Sequence, residues 1–92
     1  MVQAEGFTAK DFLKLDEAHQ KFWIEGAVDM MGLVAANTNN HQQGKCIMKW
    51  YYGDENAERN GLIIASMKQY EDVPPNAIML ALAERACGTI KN

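Results

Sequence analysis

Two pairs of side chains have the types that move protons or attack a carbonyl: Glu17 with His19, and His41 with Cys46. A histidine beside a carboxylate is half of an acid–base pair, and a histidine beside a thiol is half of a nucleophilic dyad. Activation needs a third group that orients the base. Neither pair has one nearby, and no catalytic signature surrounds them. Exposed polar histidines are the plainer reading, and no catalytic residue is assigned. Two histidines and two cysteines, with no pair at CxxC or HxxxH spacing, do not make a zinc site. Gly26, Gly32, Gly44, Gly53 and Gly61 are isolated, so none belongs to a loop that cradles phosphate. A binding protein without cofactor or metal is expected, rather than an enzyme.

The residues suited to binding lie together. Trp50, Tyr51 and Tyr52 are three large amphipathic rings in a row, beside the polar run from Asn37 to Gly44. Such rings are enriched where proteins dock on proteins. The candidate contact residues are Asn39, Asn40, His41, Gln42, Trp50, Tyr51 and Tyr52. The alternative is that Trp50 and one tyrosine cover the end of the fold while the other is an ordinary surface residue. Nucleic acid is disfavoured as a partner: the net charge is −3 and the nine Lys and Arg are scattered, whereas a phosphate-binding surface needs clustered positive charge.

The elements that must carry these residues read as all-α. Thr8 with Asp11 resembles a capping box, opening a short helix to about Leu15 that buries Phe12, Leu13 and Leu15, with Phe7 as an anchor ahead of it. Asp16 is a new cap for a helix over 17–36, about 30 Å long, with Trp23, Ala27, Met30 and Val34 inward, flanked by Ile24, Val28 and Met31, and Lys21, Glu25 and Asp29 in water. Gly26 and Gly32 each cost about 1 kcal/mol inside it, which suggests close approach of a neighbouring backbone. Residues 37–44 read as an exposed loop, and 45–52 as a short extended segment or a turn of helix. A further helix runs from Asn56 to Tyr70, with Leu62, Ile63, Met67 and Tyr70 inward, and Val73-Pro74 ends it.

The last helix opens at Pro74-Pro75 and closes at Gly88. Its seven consecutive apolar residues, Ala77 to Ala83, leave its middle no solvent face, so it is placed at the centre of the bundle. The run is too short to span a bilayer. Cys87, near its end, has Cys46 as its single intramolecular partner. A bridge between them would stabilise the domain by about 4 kcal/mol in the chain-entropy model; the alternative is two reduced, buried thiols. The expectation is thus one domain over residues 1–92, ordered from about 8 to 90, a bundle of four helices in all with the C-terminal one at its centre.

This arrangement resembles the Rap/Tai family. The resemblance is carried by the first short helix, the segment Phe22-Trp23-Ile24-Glu25-Gly26-Ala27-Val28-Asp29, one Cys after a polar loop, and a closing helix pair interrupted by Tyr70 and Pro74-Pro75 and ending Ala86-Cys87. Members are small helical periplasmic immunity proteins that neutralise peptidoglycan-cleaving amidase effectors of type VI secretion. Thr8-Ala9-Lys10-Asp11-Phe12-Leu13-Lys14-Leu15-Asp16-Glu17 is also similar to the opening of HdeA-type periplasmic acid chaperones. Those chaperones have a cysteine where this chain has Ala9, so the disulfide layout fits the immunity pattern better. The resemblance implies an HdeA/Tai-like bundle, a homodimer, and a cognate protein effector as partner, or unfolded client proteins on the chaperone reading. It also implies a periplasmic location. Val2-Gln3-Ala4 has the small-x-small pattern that ends a secretory signal, so a mature protein with a replaced start is expected.

Overall fold

The computed structural model describes residues 6–38 and 40–90, and no strand occurs among them. Thr8 begins the first helix, α1 (Ala9–Leu13), through a complete capping box: the Asp11 amide donates to the Thr8 hydroxyl, and the Thr8 amide donates to Asp11 Oδ2 at 3.1 Å. Asp16 caps α2 (Glu17–Asn37) by accepting from the His19 amide at 2.8 Å. The chain continues as α3 (His41–Tyr52), α4 (Asn56–Gln69) and α5 (Pro75–Cys87). Five helices, not four, are therefore present among the described residues. The additional one, α3, occupies the stretch read as a polar loop followed by a short extended segment or a turn of helix.

The most extensive packing joins α2 to α3. Gly32 is the reason. A methyl group on it would meet Met48 Sδ at 2.8 Å, and one on Gly44 would lie 2.9 Å from the Gly32 carbonyl oxygen and 3.1 Å from Ala36 Cβ. The backbones touch here, as expected for Gly32. Gly26 differs: a methyl group there would meet nothing within 4 Å among the described residues, so no neighbour among them explains it. The tight crossing turns α2 so that Ile24, Val28, Gly32 and Ala35 are buried. Trp23, Ala27 and Met31 are half-buried, and the expected inner residues Met30 and Val34 lie on the outside.

The core is completed by Phe12 from α1, Ile47 and Tyr51 from α3, Ile63 and Met67 from α4, and Ile78, Met79 and Ala83 from α5. Phe12 meets the Trp23 ring edge-on at a centroid distance of 5.3 Å, and Phe7 lies 6.4 Å from the same ring. Leu62 and Tyr70 are exposed, contrary to expectation. Leu62 points off the Ile63–Met67 side of α4, and Tyr70 leaves the helix at φ −126°, ψ 59°. The C-terminal helix is not surrounded either. It buries Pro75, Ile78, Met79 and Ala83 while Ala77, Leu80 and Ala81 face out, because a chain this short has too little mass to enclose a helix on all sides. Gly88 closes α5 at φ +92°, ψ 164°, a region open to glycine and costly for other residues.

Candidate functional site

The candidate contact residues fall on a helix because Asn40 is a good cap. Its side chain accepts from the Gln43 amide at 3.0 Å, starting α3 at His41. From there the helical phase sorts the residues. Gln43, Gly44, Ile47 and Tyr51 share the buried side; His41, Lys45, Met48 and Tyr52 lie along one edge, and Gln42, Lys49 and Trp50 along the other.

Gln43 is 7% exposed and is the buried polar residue among those described. Its Nε2 donates to the carbonyls of Gly88 at 2.8 Å and Thr89 at 2.9 Å, with that of Cys87 at 3.5 Å, the outer limit for such a bond. The turn at Gly88 lets these carbonyls converge on one amide. One turn further along, Cys46 is bonded to Cys87, with the two Cα atoms 5.8 Å apart. The bridge thus leaves from within α3. Side-chain amide and sulfur together fix the contact helix to the end of α5.

Tyr51 is removed from the candidate surface. It is 1% exposed and donates through its hydroxyl to Asn60 Oδ1 at 2.7 Å; burial pushes the phenol up from its ordinary value. The residue lies one helical turn after Ile47, on the side that faces the core. Tyr52, a neighbour in sequence and edge-on to Tyr51 at 4.9 Å, is 45% exposed and donates to Asp29 Oδ1 at 2.9 Å. Partial burial and the adjacent carboxylate push it up to about 12, so it acts as a donor at neutral pH. Trp50 is half-buried: Arg59 stacks over its ring at 5.4 Å and donates from Nε to its carbonyl at 2.9 Å. Asn40, His41 and Gln42 are exposed. Asn39 lies outside the described residues.

Each edge of α3 opens onto a depression. The one against α2 has a volume of about 760 Å³ and includes His41, Met48 and Tyr52. That against α5 has about 440 Å³ and includes Gln42, Trp50 and the disulfide. Lys45 and Lys49 line both. Inspection of composition alone passed over these two lysines; their spacing of four would have placed them on one helix face once the segment was read as helical.

The sequence-adjacent chemical pairs do not assemble. His19 Nδ1 engages Asp16 at 2.8 Å instead of Glu17, and the Cys46 sulfur is committed to the bridge. Among the described residues no three His, Cys, Asp or Glu side chains converge as metal ligands, and no helix is long and apolar enough to cross a membrane. No family model, curated protein or solved structure matches the chain.

Proposed function

We propose that the protein acts without catalysis, as an immunity-type inhibitor that binds a secreted peptidoglycan amidase in the periplasm and covers its cleft. The observation that carries this reading is that exposed His41, Gln42 and Tyr52 lie on one helix whose place is fixed by a disulfide and a buried amide. A rigid helix loses little conformational freedom on binding, which favours tight one-to-one inhibition. The contact element is thus a helix rather than a presented loop. The test is affinity capture from periplasmic fractions at pH 7 without reductant, followed by an assay of sacculus hydrolysis. The parent chain should retain one stoichiometric partner and suppress its hydrolysis. The variant H41A/Q42A/W50A/Y52A should bind about tenfold or more weakly. Equal binding by both would remove α3 as the contact.

One observation favours a second reading, an acid-responsive chaperone. Phe22, Met30 and Leu33 form an exposed apolar stripe on α2, at 67, 59 and 58% exposure, and such a stripe can hold unfolded clients. On that reading many proteins are captured near pH 3 and none selectively at pH 7.

A further inference from the structure

The depression between α2 and α3 has a shape and charge pattern that say more about what it receives. Ala36 meets Gly44, Gly32 meets Met48, and Asp29 meets Tyr52, so the two helices run antiparallel and the groove follows them from His41 to Gly53. That is the length of α3, about 18 Å, or three turns of helix. Leu33 and Met48 present apolar surface in it, with Met48 packed directly over the glycine at 32. Methionine repacks readily around an incoming side chain.

Charge distinguishes the rim from the rest of the molecule. The chain carries −3 overall, yet the groove is bordered by Lys45 and Lys49, and among the described residues neither forms an ion pair. Its acid, Asp29, already accepts the Tyr52 hydroxyl. Asp29 keeps its charge in that bond, so two lysines against one carboxylate leave the lining net positive, with the lysines one helical turn apart on α3. We propose that this groove receives a helical segment of the partner protein that buries apolar anchors against Leu33 and Met48 and sets carboxylates opposite Lys45 and Lys49. This is the helix-in-groove mode, in which anchors repeat at three- and four-residue steps. The assignment rests on the binding function proposed above and names the chemistry of its partner.

The probe is a fluorescein-labelled designed helix of about 14 residues, long enough to fill the groove, with leucines on one face and glutamates beside them. A counterpart has lysine at every glutamate. Fluorescence anisotropy at pH 7 should give saturable binding of the acidic helix, weaker at about 0.3 M than at about 0.05 M salt, and none of the basic one. Binding should fall about tenfold or more in K45E/K49E and in L33D. L80D, on the outer face of α5, should leave it unchanged, and thermal melts identify any variant that fails to fold. Equal binding of both helices, absence of saturable binding, or indifference to K45E/K49E and L33D would overturn the assignment. So would a dimer in sedimentation equilibrium that L33D dissolves, since a second copy would then cover the groove. If the captured periplasmic partner is kept by L33D and K45E/K49E but lost by H41A/Q42A/W50A/Y52A, the binding function stands and the groove assignment fails.

Discussion

Helices α3 and α5 invert what their compositions suggest. The first contains two lysines and a histidine and begins with the polar stretch His41-Gln42-Gln43-Gly44-Lys45, yet brings its backbone close against α2 and buries a glutamine. The second is apolar through its middle and still shows a face to solvent at Ala77, Leu80 and Ala81. Burial of a helix face follows from what can approach it. Small residues at Gly32, Ala36 and Gly44 let α2 come close to α3; among the described residues nothing comparable covers the outer face of α5.

The largest break in this comparison comes from removing the covalent link between the two helices. Replacing Cys46 and Cys87 by alanine should lower stability by about 4 kcal/mol, measured by urea denaturation against the parent. A core truncation in the polar helix comes next. Ile47→Ala, at a fully buried site, should cost about 2–5 kcal/mol, whereas Leu80→Ala in the apolar helix should cost much less; comparable losses would mean that composition, not packing, ranks these helices. Glycines separate more finely. Gly44→Ala should destabilise by about 1–3 kcal/mol through overpacking against the Gly32 carbonyl, and Gly26→Ala, with open space around it, should stabilise by about 1 kcal/mol.

The smallest effect is acid-dependent and local. Hydrogen bonds from Thr8 hold the Asp11 carboxyl below its ordinary 3.8, and those from His19 do the same for Asp16. A lowered carboxylate stabilises the fold fully above its ordinary value, and that contribution is lost as pH falls through the lowered one. The caps of α3 and α5, Asn40 and Pro74, do not titrate. Amide exchange near pH 2–3 should therefore show fraying of α1 and of the first turn of α2 while α3 and α5 keep their protection. Simultaneous loss in all four would make acid unfolding global.

The features legible in the sequence are those set by residues within one turn of each other: the Thr8–Asp11 box, the Asp16 cap, Pro75 at the start of α5 and Gly88 at its end. The pairing of Cys46 with Cys87 was also open to inspection, since two cysteines allow one bridge. Hidden were features with a distant cause. Gln43 looks like a loop residue until the carbonyls of Gly88 and Thr89 are brought to it. Tyr51 and Tyr52 are chemically alike and acquire opposite fates only when a helical phase is fixed. Gly44, Ile47 and Tyr51 carried that phase at spacings of three and four, but the polar residues around them resembled a connector. The candidate stretch was consequently given the wrong shape, since it is one helix.

The attachment of α1 sets an order of events. Ala9 and Lys10 donate their amides to the carbonyls of Val73 and Glu71, at 2.8 and 2.9 Å, so a segment near one end of the chain hangs on the turn before α5. Five residues cannot sustain a helix alone, and closing so long a loop is slow relative to forming the local helices. α1 should thus be the latch that shuts last as the chain folds and lifts first in native fluctuations. What its opening uncovers is the pocket of Phe12, so early proteolytic cuts should fall ahead of α2 while the disulfide-closed remainder stays intact.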